Sequence, residues 1–479
     1  MQPTWDSVPD DPSNAQSSYL SDYSENHSTN CGDRLTLVAD VARADWPKAR
    51  GGEYANGEAV SALENYANNV SRGDKPAGQS AKRELRWKAR RGVQEFTNHA
   101  RLRGCGVTSI RVDGKVTLKH DGQHAGFGGL ATCGSVWVCP VCSAKVAARR
   151  AAEIEQILDW NADRGGSVIF TTLTLRHHKG QSLVSLWHNG LSAAWRYMTQ
   201  QRAWSKTRKA LGIDHYVRAV EITYGEHGWH VHAHLLLLAN RPISSDMADA
   251  FGAELFSQWQ RAVRREGHDT LPQGFDIRVA DRGDHLDELG RYFAKQVYDG
   301  QKSSMAIEAT GAAFKEAKNG NRTPFQMLAD ILNTGLMDDI EAWWEYESAS
   351  KGRRQINTSQ KLKALAGVEV KEDEEIAREE LDGETLLTMT RSAWKVVYPV
   401  AAKLLAATET GGISSARAFL DFLGAEYELG DTTVGPMMQR TMHSRREHVE
   451  PDEGDIFEKH RRLRYRELKE KSFRALEAR

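Results

Sequence analysis

HYVRAVEITYGEHGWHVHAHLLLL, residues 215–238, reads as two β-strands joined by a turn near Gly225–Gly228, and this stretch decides the fold. Successive side chains on a strand point to opposite faces. His230, His232 and His234 therefore share one face, and Val231, Ala233 and Leu235 the other. The leucines at 235–238 leave no polar face, which marks a central strand buried on both sides. Three imidazoles without partners are costly in such a place. Chance is a poor explanation, because 17 histidines in 479 residues give about 0.02 such triples. Same-face neighbours can instead share one metal ion. Glu221 lies on the preceding strand, across the turn, where its carboxylate can reach the same face. Histidine and carboxylate ligands with open positions suit Mg2+ or Mn2+ better than a closed zinc site. Glu226 and His227 read as ordinary turn residues.

Outward from this hairpin, SVIFTTLTL (167–175) is a strand dense in β-branched residues. Residues 144–160 read as a helix with Val146, Ile154, Ile157 and Leu158 on one side, and 183–211 as one or two more. A helix over 244–265, a strand FDIRVA (275–280) and a helix over 285–298 follow. The order implies an α+β fold, with helices on a largely antiparallel sheet. Upstream, SIRVDGKVTLKH (109–120) reads as a hairpin turning at Asp113-Gly114. The expected divisions are a disordered region (1–80), a basic helix with a cysteine module (81–150), a central domain (151–300), a helical C-terminal domain (301–430) and a charged tail (431–479).

Of five cysteines, Cys105, Cys133, Cys139 and Cys142 fall close together, and Cys31 stands apart. The N-terminus lacks a basic segment followed by an apolar one, so the cytoplasm is the expected compartment, where grouped cysteines point to metal rather than disulfides. CPVC (139–142) is a zinc knuckle that turns its two sulfurs toward one point, with Cys133 nearby. Cys105, flanked by glycines, is the natural fourth ligand, and His120 or His124 is the alternative. A closed site of four cysteines holds structural Zn2+.

A second constellation lies in DELGRYFAKQVY (287–298), where Glu288, Tyr292 and Lys295 fall at i, i+4 and i+7 on one helical face. A tyrosine beside a cation and a metal can act as a phenolate nucleophile on a phosphate. A carboxylate one turn away can then activate water.

Taken together, the histidine strand and this helix resemble the HUH endonuclease superfamily, and within it the rolling-circle plasmid replication initiators with one tyrosine and a partnering glutamate. The first motif of that family, a strand with a Thr-Leu-Thr pattern, is matched by FTTLTL (170–175). The second is matched by HVHAH (230–234), and the third, Tyr-x-x-Lys with Glu four positions earlier, by Glu288, Tyr292 and Lys295. The order of motifs agrees with initiators and opposes conjugative relaxases. Val231 stands where many relatives have proline, so both histidine pairs stay open; His232 and His234 are the preferred ligands, with His230 or Glu221 completing the shell. Similar cysteines precede the nuclease core in actinobacterial-type initiators. The resemblance implies an HUH core preceded by a zinc module and followed by a helical region. It implies a DNA nickase and strand transferase acting on single-stranded or hairpin DNA at a plasmid double-strand origin. Tyr292 would form a 5′-phosphotyrosine and free a 3′-OH that primes a host polymerase, and Glu288 would activate water to close the cycle.

Net charge of −1 says nothing about nucleic acid, but its distribution does. KRELRWKARR carries Lys82, Arg83, Arg86, Lys88, Arg90 and Arg91 as candidate DNA contacts. A second basic cluster holds Arg196, Arg202, Lys206, Arg208 and Lys209 among Trp195, Tyr197 and Trp204, a pattern suited to phosphates and base stacking. No apolar run reaches the roughly 20 residues of a membrane helix. A GxxxxGK[ST] loop is missing, so unwinding is expected from a host helicase. Rival readings are a two-tyrosine transposase, disfavoured because Tyr298 lies six positions past Tyr292, and a non-catalytic zinc-bearing DNA-binding regulator, which leaves the histidines unexplained.

Overall fold

In the computed structural model the described residues are 75–280 and 321–430. Glu288, Tyr292 and Lys295 lie outside them, as do the N-terminal region to residue 74 and the charged tail. In chain order the elements are α1 (Lys75–Gln94), β1 (Val116–His120), β2 (Ala125–Gly128), α2 (Pro140–Asp163) and β3 (Ser167–Thr174). A π-helical stretch, Ser185–Ser192, runs into α3 (Ala193–Gln200) and α4 (Arg202–Ala210). Next come β4 (Ile213–Gly225), β5 (Gly228–Ala239), α5 (Ser245–Arg265) and β6 (Phe275–Ala280). The described residues resume with α6 (Pro324–Thr334), α7 (Met337–Ser350), β7 (Ile356–Thr358), α8 (Asp373–Arg378), β8 (Glu384–Met389), α9 (Arg391–Val397), α10 (Ala401–Leu423) and β9 (Tyr427–Leu429).

The principal sheet has the order β6-β3-β5-β4-β7, all pairs antiparallel, with the histidine strand in the centre. The fold is thus α+β, as the sequence implies. One face presents Ile169, Leu173, Val220, Val231, Ala233, Leu235 and Leu237 to a core that includes Trp195 of α3, Trp259 of α5 and Trp343 of α7. The other presents Val168, Phe170, Val217, Leu236 and Leu238 to Ile154, Ile157 and Leu158 of α2. Leu235 to Leu238 are all 0% exposed, each burial contributing about 1.5–3 kcal/mol. That fixes the register, since a one-residue slip would drive the histidines under the helices. On the α2 side the next β5 residues in line after Leu236 are His234, His232 and His230. The β4–β5 turn closes through Gly228, whose φ of +83° glycine adopts without strain, while Glu226 and His227 keep negative φ.

A second sheet, β2-β1-β8-β9, corrects two sequence expectations. Asp113-Gly114 does turn the chain, the Gly114 N–H donating to the Arg111 carbonyl at 3.0 Å, but the hairpin is β1 with β2, turning after His120. Arg111 and Lys115 both bond the Asp113 carboxylate, a local turn that sets up no ladder. The helical domain expected over 301–430 is also not separate in its described part, residues 321–430. β8 pairs with β1, β9 with β8, and β7 with β4. The physical reason is that a lone hairpin with Val116 and Leu118 on one face cannot bury them. Leu387, Met389, Trp394, Leu404 and Leu420 complete that core, together with Trp87 of α1.

Candidate metal centres

Register alone assembles the first site. Glu221 on β4 lies directly opposite His232, and Thr172 on β3 directly opposite His234. The carboxylate Oε2 of Glu221 stands 3.0 Å from His232 Nε2 and 2.9 Å from His234 Nε2, and the two Nε2 atoms are 3.0 Å apart. Donors at adjacent corners of an octahedron around an ion 2.0–2.2 Å away are separated by about 2.8–3.1 Å, and tetrahedral corners by about 3.3–3.6 Å. The donor set therefore fits three neighbouring positions of an octahedral cation.

The surroundings fix the donors. Thr172 Oγ1 lies 3.1 Å from His234 Nδ1, and Phe170 stacks on that ring at 5.6 Å. A ligating Nε2 needs its lone pair, so Nδ1 carries the proton and donates it to the threonine hydroxyl. Burial works to raise the Glu221 carboxyl, but its close contacts with His232 and His234 overcome it and hold the group far below the usual carboxylate range. Burial also lowers the His234 pKa, against the pull of Glu221. His230 is not in the donor set. Its ring stacks on His177, centroids 4.8 Å apart and nearly parallel, and burial with the charges of His232 and His177 pushes its pKa down to about 4. Thr172 and His177 were absent from the sequence candidates, although the FTTLTL strand was a signal for the first.

The second cluster also assembles as the spacing implies. Pro140 opens α2 at its first turn and Cys139 is the N-cap, so the CPVC knuckle is a helix start. Cys105, Cys133, Cys139 and Cys142 are all buried, with sulfur separations of 3.9 Å (105–139), 3.6 Å (105–142) and 3.7 Å (133–142). Tetrahedral sulfurs 2.3 Å from zinc stand about 3.8 Å apart. Hydrogen bonds from the other three thiols hold Cys105 well below the usual thiol range, against burial, and Arg90 adds to the effect. His120 and His124 lie outside this group.

The basic clusters are rearranged. Residues 83, 87, 90 and 94 share a face of α1 that turns inward. Arg90 is 3% exposed, so it is not the DNA contact expected from the sequence. Arg83 is bound at its two terminal nitrogens by Glu409 (2.7 and 2.6 Å). Lys82 is exposed, and Arg86, Lys88 and Arg91 are half-buried. In the second cluster Trp195 and Trp204 are core residues in edge contact at 5.8 Å, which corrects their reading as stacking platforms. Tyr197 is covered by Arg265 at 3.9 Å. Arg196, Arg202, Lys206 and Lys209 remain exposed.

"Protein rep" of Streptomyces lividans is 27% identical over 299 residues, which cover 50% of this chain and 65% of that one. "Neomycin resistance protein" of Streptomyces cyanogenus is 30% identical over 175 residues, covering 30% of this chain and 40% of that one. The chain thus spans less than two thirds of either relative. No solved structure matches. A family described as "Replication protein" matches residues 130–396, more than half of the sequence, including three of the four clustered cysteines and the whole histidine strand. The chain belongs to the replication protein family.

Proposed function

We propose that this protein is a plasmid rolling-circle replication initiator of the HUH type, a metal-dependent nickase that joins itself to the DNA it cuts. The observation that carries the reading is the convergence of Glu221 of β4 with His232 and His234 of the central strand β5, at mutual distances suited to Mg2+ or Mn2+. Family membership and the likeness to "Protein rep" support a role in replication. When bound, the divalent ion would supply Lewis-acid polarisation of the scissile phosphate. The phenolate oxygen of Tyr292 would attack phosphorus, forming a 5′-phosphotyrosine as the P–O3′ bond breaks and the departing 3′ oxygen takes a proton. Lys295, three positions on, would favour the phenolate, and Glu288 would take the proton of the water that later releases the enzyme.

The four cysteines would hold Zn2+ as a structural brace. The substrate would be single-stranded or hairpin DNA at a plasmid origin, with a host helicase and polymerase acting next, in a bacterial cytoplasm. No helix among the described residues is long and apolar enough to cross a membrane. The test is a labelled single-stranded origin oligonucleotide incubated with the purified protein and Mn2+. A covalent adduct that disappears in Tyr292→Phe supports the proposal. Cleavage surviving Tyr292→Phe points to a simple metal hydrolase, and no adduct with any origin sequence favours a binding protein without catalysis.

A further inference from the structure

Arg90 belongs to the helix that the sequence marked for DNA, yet its guanidinium is inside the protein. It lies 4.0 Å over the Trp87 ring and 5.6 Å from that of Tyr398. On its far side it presses against Gly106, the residue after Cys105; a Cβ there would stand 2.4–2.5 Å from the guanidinium atoms. Neither Nε nor Nη2 has a hydrogen-bond acceptor, and no carboxylate among the described residues pairs with it. A buried cation without a counter-charge is strongly unfavourable, so something on this wall must be negative.

The cysteine cluster is the available source. Four thiolates around a divalent cation leave two net negative charges, and all four residues are at most 3% exposed. Two nearby cations are engaged elsewhere. The Lys145 ammonium is committed to the carbonyl oxygens of Ala377 and Glu379, and Arg101 is largely exposed and meets Glu374 at 3.6 Å. Burial disfavours the charged guanidinium of Arg90, but Tyr398 and the sulfurs of Cys105, Cys139 and Cys142 outweigh it.

We propose that Arg90 is the internal counter-cation of the four-cysteine centre, its charge offsetting the excess negative charge that the thiolates carry when metal is bound. This rests on reading that cluster as a zinc site. It also accounts for an arginine buried as deeply as its helix neighbours Trp87 and Val93. The loop carrying Cys105 is held independently. Gln94 Nε2 donates to the Cys105 carbonyl at 2.9 Å, and Trp394 Nε1 to the Gly106 carbonyl at 3.2 Å. Removing the guanidinium charge therefore leaves the ligands tethered.

The experiment uses the full-length chain carrying Zn2+ or substituted with Co2+. Arg90→Met keeps an apolar stem on Trp87 and removes the charge; Arg90→Lys keeps a charge but not the planar fork. Zinc release to an excess of chromophoric chelator should be about tenfold faster in Arg90→Met, a loss typical of partners just outside a ligand shell, and intermediate in Arg90→Lys. The sulfur-to-cobalt charge-transfer bands should move to longer wavelength, because a thiolate without a neighbouring cation gives up electrons more easily. That band reads the charge beside sulfur, which a packing role leaves unmoved. Unchanged release and unchanged bands in Arg90→Met overturn the proposal. Where Arg90→Met does not fold, Arg90→Gln, which also removes the charge, decides by the same band, shifted in support or unshifted in refutation. A wild-type chain that takes up neither metal refutes the zinc reading itself, a result separable from failure of the Arg90 role because it appears before any substitution.

Discussion

Replacing Thr172 with valine should loosen the divalent cation without removing a ligand. The threonine hydroxyl is 3.1 Å from His234 Nδ1, and His234 is 5% exposed. Valine has nearly the same shape, so no cavity forms, but the ring N–H is left buried and unpaired whenever Nε2 faces a metal. An unpaired buried donor costs about 1–3 kcal/mol. At 1.4 kcal/mol per tenfold, this weakens binding by about fivefold to somewhat over a hundredfold, and partners just outside a ligand shell usually cost about tenfold to a hundredfold. Calorimetric titration of Mn2+ into the metal-free chain measures it directly. Glu221→Gln, which removes a charge from the donor set, should lose more than Thr172→Val. His230→Ala, whose ring stacks on His177, should lose less. A Thr172→Val protein that binds Mn2+ as tightly as wild type would refute the tautomer argument, and His230→Ala losing as much as Glu221→Gln would refute the assigned donors.

Three further outcomes follow from the same geometry. His230 titrates at about 4 in the fold against about 6.5 when unfolded, so the unfolded chain gains the proton first; its contribution is complete above pH 6.5 and is lost as pH falls toward 4, by up to about 3 kcal/mol. Urea unfolding of metal-free His230→Gln should show a shallower loss between pH 7 and 5 than wild type, and an equal loss contradicts the burial argument. Cys142→Ser should lower bound zinc from about one equivalent toward none by elemental analysis, with Cys31→Ser unchanged; equal zinc in both would move the site elsewhere. Leu237→Ala, at 0% exposure in the central strand, should cost about 2–5 kcal/mol in chemical unfolding, and a cost below about 1 kcal/mol would mean the helices do not cover that face.

The candidate metal site was legible because its parts are local. A period of two places His232 and His234 on one face, and a tight turn returns Glu221 opposite His232, so a single hairpin carries all three donors. CPVC is similarly local, a helix start with both sulfurs in one turn. The choice between His230 and Glu221 was not legible, since strand alternation treats all three histidines alike. Cross-strand pairing separates them, setting His232 beside Glu221 and leaving His230 opposite Thr223.

The basic helix misled for a related reason. Its charge count is the same whichever way it faces, and only packing reveals that Arg83 and Arg90 turn inward. The second sheet was equally hidden. β8 reaches β1 across more than 260 residues, and no local pattern in ETLLTM announces a partner so distant. By itself the sequence determined the α+β class, the histidine hairpin and the cysteine knuckle, because alternation and turns act between near neighbours. The tertiary structure alone decided which charges are buried, which strands complete each sheet and which atom completes the donor set. Those are outcomes of long-range contact, where the cost of leaving a polar group unpaired selects its partner.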